Sequence, residues 1–393
     1  MSGRSVIVSA ARTPIGSFLG SLASFSAPQL GGIAIKECLK RAGIEGSLVQ
    51  EVIMGNVLTA AVGQSPARQA ILAAGLPKET GALTIGKVCG SGLKAVMLAD
   101  QMIRSGDREV IVAGGMESMS QAPYALLKAR EGYRMGNGEI IDTMVKDGLW
   151  DVYNNFHMGS AAELCAEKYG ITKADQDQFA VQSYLRALEA TKNGRFKDEI
   201  VTVPVPQKKG DPILVSEDEE PKRGNTEKLP QLRPAFKKDG TVTAGNASSI
   251  NDGAAALLVM SEAKAKALGL KPLATILAHE QASIEPEWFT IAPAVAMEKA
   301  LAKAGLKSEQ IDLWEVNEAF AVVSLFNNQK IKIPNDKVNV NGGAVALGHP
   351  IGASGARILV TLLYEMQRRK AKRGLASLCI GGGEGVALIV ESN

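Results

Sequence analysis

The sequence predicts an α/β protein built from two similar halves with an inserted loop region. Short apolar stretches such as residues 52–54 and 110–113 follow segments with helical spacing, an alternation typical of buried strands in α/β units. The chain has 393 residues, of which 46% are hydrophobic and 22% are charged. This length suits two or three domains or two fused copies of one unit, and the composition suits a globular protein.

Four features recur in the same order near the two ends of the chain. The first set is residues 41–44, 51–56, 91–92 and 114–115, and the second set is residues 303–306, 312–317, 354–355 and 381–383. In each set a basic residue and Ala-Gly lead into a strand, and Ser-Gly opens a helical stretch that ends in a strand and glycines. Chance similarity between two helix-strand units is the alternative. The shared order favours an internal duplication.

Residues 120–249 interrupt this rhythm with six prolines between positions 204 and 234 and with the acidic run 217–220. The segment is not simply disordered, because residues 175–192 have helix-like spacing of apolar residues. We therefore predict an inserted lid or loop region that contains at least one helix.

Composition and charge exclude several classes of protein. The formal net charge of +3, from 44 basic and 41 acidic residues, lacks the basic surplus of a nucleic-acid binder. No apolar run approaches membrane-spanning length, and neither a signal segment nor a peroxisomal tripeptide is recognisable, so we expect a cytoplasmic protein without membrane contacts. The four cysteines, at positions 38, 89, 165 and 379, show neither disulfide nor zinc-ligand spacing.

Cys89 carries the strongest local signal in the N-terminal half. It lies in residues 87–92 (KVCGSG), directly before apolar residues at helical spacing. The dipole and free amides of a helix start favour negative charge, so we expect a lowered pKa for the Cys89 thiol. The following glycines let a substrate carbonyl approach backbone N–H groups that can hold an oxyanion. Burial as a small core residue is the alternative.

The C-terminal half supplies three further candidates. His349, one of 3 histidines, lies in a glycine-dense loop at the position that the duplication matches to the neighbourhood of Cys89. Cys379 lies at a strand end before three glycines, and Asn317 interrupts an apolar strand-to-helix passage. These residues suggest a Cys/His pair with a second thiol nearby. A hydrogen-bonded structural histidine and a buried strand cysteine are the alternatives.

Together these segments resemble the active-site motifs of the thiolase family, in the family's order and over essentially the whole chain. The motifs are residues 88–92 (VCGSG), 317–320 (NEAF), 348–350 (GHP) and 379–383 (CIGGG), and the resemblance extends to residues 10–16, 114–119 and 245–248. It implies a five-layered αβαβα fold of two βαβαβαββ halves. The N-terminal half would comprise residues 1–119 and 250–270. The loop domain, which covers coenzyme A, would comprise residues 120–249, and the C-terminal half would comprise residues 271–393.

The resemblance also implies a reaction, the reversible Claisen condensation of two acetyl-CoA molecules to acetoacetyl-CoA and CoA. Cys89 would carry the acetyl group, and Cys379 would remove the α-proton of the second acetyl-CoA. His349 would activate Cys89 and donate to the enolate oxygen, with Asn317 holding a water in the same oxyanion hole. The backbone N–H groups of Cys89 and Gly381 would form a second oxyanion hole, for the tetrahedral intermediates.

The resemblance further implies a set of coenzyme A and substrate contacts. These are His157, Met158, Arg223, Leu232, Phe236, Ala244, Ser248, Phe289, Ala319 and Phe320. A structural capping histidine and a loop hydrogen bonder are the alternatives for His157 and Ser248. Thioester exchange and enolate formation need thiols and an imidazole but no metal or redox cofactor, and coenzyme A is a substrate. No residue pattern decides whether potassium activates the protein.

Some segments bear on substrate length and assembly. Residues 145–154 and 286–293 resemble the branch that includes mitochondrial acetoacetyl-CoA thiolases, whose members can accept a 2-methyl substituent. Phe289 is either part of the acyl pocket or part of the hydrophobic core, and Glu384 stands where an uncharged residue is common.

A longer-chain degradative 3-ketoacyl-CoA thiolase is the nearest alternative function, and a non-catalytic CoA- or lipid-binding scaffold is another. We expect a homo-oligomer, either a dimer or a tetramer.

Overall fold

A large mixed β-sheet forms the centre of the computed structural model, which describes residues 3–393. The strands of the chain are β1 (Ser5–Arg12), β2 (Gly16–Ser17), β3 (Glu51–Gly55), β4 (Gly81–Ile85), β5 (Val110–Ser118), β6 (Tyr124–Ala125), β7 (Ile141–Asp142), β8 (Trp150–Asp151), β9 (Phe156–His157), β10 (Val203–Val205), β11 (Ile213–Val215), β12 (Asn251–Ser261), β13 (Ala274–Ser283), β14 (Leu313–Val316), β15 (Arg373–Ile380) and β16 (Glu384–Ser392). The helices are α1 (Ala27–Ala42), α2 (Pro66–Ala73), α3 (Ser91–Ser105), α4 (Met158–Tyr169), α5 (Lys173–Lys192), α6 (Glu220–Arg223), α7 (Glu262–Ala267), α8 (Ala292–Ala304), α9 (Ala321–Ile331), α10 (Ala344–Leu347) and α11 (Ile351–Arg369).

The strand order repeats as a mirror image about the middle of the sheet. The order is β14-β15-β16-β13-β1-β12-β5-β3-β4, with β2 attached to β12. The two halves join where β1 pairs with β13 through Val6 and Thr275 and through Ile7 and Ala274. Moving outward on each side, a long antiparallel strand is followed by strands that pair in parallel. This arrangement confirms the predicted fold of two similar halves.

Helices cover both halves and also lie between them. α1 and α2 cover the outer face of the N-terminal strands, and α8 covers the outer face of the C-terminal strands, with α9 packed against α8. α3 and α11 pack on each other and on strands of both halves, so that their apolar faces share one central core. The strands of the N-terminal half and those of the C-terminal half therefore form two separate layers of the one sheet. The layers of the molecule run helix, sheet, helix, sheet, helix, as predicted.

Glycine permits the close crossing of α3 and α11. A Cβ on Gly92 would lie 2.7 Å from the amide nitrogen of Ala356, and a Cβ on Gly355 would collide with the amide nitrogen of Leu93. Real Cβ atoms do not approach backbone this closely, so each helix needs glycine at the crossing. Helix packing therefore explains the glycine of the Ser-Gly pair that recurs in the two halves.

The inserted region covers one end of the sheet and contains α4, α5 and three small strand pairs, β6–β7, β8–β9 and β10–β11. The predicted helix over residues 175–192 is confirmed as α5, which is N-capped by Thr172. The acidic run is partly buried, because Asp218 accepts two hydrogen bonds, of 2.7 and 2.9 Å, from Arg12 of β1. Within residues 3–393, none of the helices has the length and apolarity needed to cross a bilayer.

Candidate active site

A cavity of about 530 Å³ lies where the inserted region covers the two halves. It is the place where the predicted site residues converge. Its wall is formed by Phe18, Cys89, Met119, Gly148, Leu149, His157, Met158, Glu220, Arg223, Ala235, Phe236, Ala244, Ala247, Ser248, Ser249, Ile250, Phe289, Ala319, Phe320, His349, Ile351 and Gly381. The wall is mostly apolar, with a few polar groups, which is the usual character of a site for an organic ligand.

Cys89 lies in a tight turn between β4 and α3. Val88 adopts a positive φ of 43°, and the Ser91 hydroxyl accepts a 2.7 Å hydrogen bond from the Lys87 amide, which closes the turn. The amides of Gly381 and of Cys89 itself donate toward the Cys89 thiol and thereby lower its pKa, but burial has the larger effect and raises that pKa to about 12. The expected lowering of the Cys89 pKa is therefore wrong, because desolvation outweighs the amides.

Cys379 lies at the end of β15, fully buried beneath the cavity wall. Burial is the main cause that raises the pKa of Cys379 well above its ordinary value, and the neighbouring Cys89 raises it further. The chain then turns through Gly382 and Gly383, whose φ angles of 92° and 82° favour glycine. The two thiols, one from each half of the protein, are thus close enough for the charge of one to affect the pKa of the other.

His349 follows Gly348, whose φ is 102°, in the loop before α11. The Ser354 hydroxyl donates to the Pro350 carbonyl at 2.9 Å, so it accepts from Nδ1–H of His349, at 2.6 Å. Nε2 is then an unprotonated acceptor, and residues 3–393 provide no hydrogen-bond donor to it. Burial, with a smaller effect of Arg357, lowers the pKa of His349 to about 3. The neutral ring can therefore accept a proton at Nε2.

Asn317 is held by its backbone, with its amide donating to the Ser377 carbonyl at 2.9 Å. Its side chain is buried, and neither Oδ1 nor Nδ2 has a hydrogen-bond partner among the described residues. Leaving both atoms of a buried amide unpaired is unfavourable by about 1–3 kcal/mol for each group. A bound water or a ligand oxygen would satisfy them.

The predicted coenzyme A contacts are mostly found in the cavity wall. Nine of the ten line it, whereas Leu232 lies outside the wall and packs near Gly245. His157 lines the cavity and also caps α4, since its Nδ1 accepts from the Gly159 amide at 3.0 Å. Ser248 likewise lines the cavity and donates to the Ala319 carbonyl at 2.9 Å. The functional and structural alternatives for these two residues are therefore compatible.

Several wall residues were not singled out from the sequence. Met119, Leu149 and Ile351 belong to or adjoin segments already noted for their motifs, which is the only signal that could have found them. Phe18 belongs to no noted motif and Glu220 was noted only as part of the acidic run, because the folding of distant loops brings both residues to the cavity.

The comparisons with known proteins agree with this geometry. Residues 5–263 match the family described as thiolase, N-terminal domain, and residues 270–392 match thiolase, C-terminal domain. An acetyl-CoA acetyltransferase of Cupriavidus necator is 58% identical over 387 residues, 98% of each chain, and acetyl-CoA acetyltransferase 2 of Arabidopsis thaliana is 55% identical over 387 residues, 98% of this chain and 96% of that one. The crystal structure of a Bacillus anthracis acetyl-CoA acetyltransferase superimposes with a TM-score of 0.97 at 44% identity, over 100% of this chain and 99% of that one.

The fold and the paired thiols define an acyl-transferring enzyme. The chain belongs to the thiolase family.

Proposed function

We propose that the protein is an acetyl-CoA C-acetyltransferase, which reversibly condenses two acetyl-CoA molecules into acetoacetyl-CoA and CoA. The observation that carries this proposal is that Cys89 and a neutral His349 line one cavity, with the buried Cys379 close enough to Cys89 for the two thiols to interact. The names of three similar curated proteins, each an acetyl-CoA acetyltransferase, favour this reaction over thiolysis of longer chains. The presence of both thiols and the imidazole disfavours a non-catalytic scaffold.

The first half-reaction transfers an acetyl group to Cys89. Nε2 of His349 takes the thiol proton as Sγ of Cys89 attacks the thioester carbonyl, so that the C–S bond to Cys89 forms. The N–H groups of Cys89 and Gly381, which already point at this sulfur, stabilise the tetrahedral oxyanion. The bond to the coenzyme then breaks, and the leaving CoA thiolate takes the proton of Cys379.

The second half-reaction forms the carbon–carbon bond. The Cys379 thiolate removes a proton from the methyl group of a second acetyl-CoA, and the protonated Nε2 of His349, together with a water held by Asn317, stabilises the enolate oxygen. The enolate carbon attacks the acetyl carbonyl, the bond to Cys89 breaks, and Cys89 recovers its proton from His349. A raised pKa makes the Cys379 thiolate a strong base, as removal of a proton from a weak carbon acid requires.

Two aromatic rings border the cavity where we place the acyl group. The ring of Phe289 lies 6.4 Å from that of Phe320 in an edge-on arrangement, and both rings line the cavity. We infer preference for the four-carbon acetoacetyl chain, with acceptance of a 2-methyl branch as a finer proposal.

The test is CoA-dependent thiolysis of acetoacetyl-CoA, 2-methylacetoacetyl-CoA and 3-oxooctanoyl-CoA, with kcat/KM measured for each. We expect strong preference for the two four-carbon chains. Equal or better use of the eight-carbon substrate would move the protein to the degradative class. Absence of thiolysis of all three would contradict the catalytic proposal.

We also propose that the protein is a cytoplasmic homo-oligomer. The outermost strand β4 exposes its edge and Leu83, and residues 124–140 expose Tyr124, Leu127 and Met135, the last with 99% of its surface exposed. Exposed strand edges and clustered apolar side chains are often covered by another copy of the chain. Light scattering after gel filtration would show a dimer or tetramer, and a monomer at micromolar concentration would contradict this proposal.

A further inference from the structure

An ion pair joins the turn that carries Cys89 to the turn that carries Gly381. Nζ of Lys87 lies 2.8 Å from Oε1 and 2.7 Å from Oε2 of Glu384. The two side chains are 16% and 29% exposed, so the pair is screened less by solvent than a fully exposed one. The partners are 297 positions apart in the chain and belong to different halves of the protein.

Glu384 is a rigid anchor. It is the first residue of β16, where its backbone pairs with Ser283 on one side and with Ile380 on the other. The Ser283 hydroxyl also donates to Oε1 of Glu384, at 3.0 Å. A strand held on both sides fixes the position of the carboxylate relative to Gly381.

The Cys89 turn, in contrast, is strained. Val88 has a φ of 43°, in the left-handed region that a β-branched residue rarely adopts. Lys87 closes this turn through its backbone, since its carbonyl accepts from the Gly90 amide at 3.0 Å. Its side chain extends to Glu384, so one residue connects the strained turn to the rigid anchor.

The two turns also contact each other directly. A Cβ on Gly381 would lie 3.7 Å from Cγ1 of Val88, and a Cβ on Gly90 would collide with Cδ1 of Ile380. Two hydrogen-bonded links that use a side chain join residues 86–91 to residues 380–385 in the described chain: the Gly381 amide donates toward the Cys89 thiol, and Lys87 pairs with Glu384. Packing sets how near the turns can come, and the ion pair opposes their separation.

We propose that Lys87 and Glu384 are positioning residues that hold the amides of Cys89 and Gly381 at the separation required by the oxyanion of the tetrahedral intermediate. Neither side chain lines the cavity, so the pair acts through the two turns. The inference rests on the proposed acetyltransferase function. Its effect falls on kcat, because the oxyanion exists only in the transition state and intermediate.

The experiment compares kcat and KM for thiolysis of acetoacetyl-CoA among K87M, E384M and the charge-swapped double variant K87E/E384K. We expect each single variant to lower kcat about 10- to 100-fold with KM within about threefold, because small misplacement of oxyanion donors is costly. The double variant should recover kcat to within about fivefold of the unmodified enzyme. Because the swapped ion pair would also restore lost stability, kcat is compared only at temperatures at which every variant is fully folded.

The matched control is K303M, which removes a surface ion pair with Glu280 of the same 2.7 Å length, far from the two turns in the chain. It should leave kcat unchanged. Thermal unfolding of each variant checks folding, and E384Q, which keeps a hydrogen-bonding side chain, replaces any variant that does not fold and should show a smaller loss of kcat.

Single variants with kcat within threefold of K303M would overturn the inference, as would a loss confined to KM or a folded double variant as slow as the singles. These results, with a fully active unmodified enzyme, leave the proposed function intact. An unmodified enzyme without thiolase activity would overturn the proposed function, and this inference with it.

Discussion

The two halves of the protein share one fold but use its equivalent positions differently. In the N-terminal half, Gly114 and Gly115 lie inside β5, where any side chain would collide with the carbonyl oxygens of Ala255 and Gly352. In the C-terminal half, the matching glycines follow β15, and only Gly383 is packed against backbone, since its Cβ would collide with the carbonyl oxygen of Ile284. Gly381 lines the cavity, where a Cβ would lie 3.3 Å from the Met158 side chain. The same sequence signature therefore serves tight packing in one half and, at Gly381, the cavity wall in the other.

The starts of the two central helices differ in the same way. The turn before α3 presents a thiol and donor amides, whereas the loop before α11 presents His349 with a free acceptor nitrogen. Neither half alone could carry out the proposed reaction, because the nucleophile Cys89 belongs to one half and its proton acceptor His349 belongs to the other. The two halves thus contribute complementary groups to the wall of one cavity.

The largest expected effect comes from removing the nucleophile of the N-terminal half. Cys89→Ala should lower kcat for thiolysis by about 10⁴-fold or more, because no other group can form the acyl-enzyme. Steady-state kinetics measure the loss, and mass spectrometry after incubation with acetyl-CoA should show no acetylated protein. Labelling at another residue would contradict the division of roles between the halves.

Removing His349, the proposed proton acceptor for Cys89, should have the next largest effect. His349→Ala should lower kcat by about 10²- to 10⁴-fold, the usual contribution of a positioned acid–base group. Because His349 acts in both half-reactions, single-turnover acetylation and condensation should both slow. Acetylation at the unmodified rate would show that another group activates Cys89.

Alanine substitutions distinguish a glycine that packs against backbone, Gly114, from a glycine that lines the cavity, Gly381. Gly114→Ala should destabilise the fold by about 3 kcal/mol or more, since the added methyl meets fixed backbone. Gly381→Ala should fold normally, because its Cβ would lie 3.3 Å from the flexible Met158 side chain, but should lower kcat about tenfold by crowding the oxyanion. Thermal unfolding and kinetics of both variants test this contrast, which equal stabilities would contradict.

A smaller effect concerns the resting state of Cys89. Because burial raises its pKa to about 12, the thiolate fraction should grow about tenfold per pH unit, so the alkylation rate with iodoacetamide should rise without a plateau between pH 7 and 9. Cys89→Ala serves as the blank for the other thiols. A plateau near neutral pH would show that Cys89 and His349 exist as a preformed ion pair.

The sequence predicted the duplicated fold and the main catalytic candidates because these depend on local patterns. Cys89 and His349 are each marked by glycines and by a helix that begins next to them. The direction of the Cys89 pKa could not be predicted, since it depends on desolvation by parts of the chain that are distant in sequence. The same reason explains why the packing of Leu232 near Gly245 and the pairing of Lys87 with Glu384 could not be foreseen.

The division of labour between the two thiols is tested most directly by incubating Cys379→Ala with acetyl-CoA and mapping the acetyl group by mass spectrometry. We expect one acetyl group on Cys89, no formation of acetoacetyl-CoA, and slower acetylation because the leaving CoA lacks its proton donor. Condensation at an appreciable rate, or acetylation at a residue other than Cys89, would contradict the roles assigned to the two thiols.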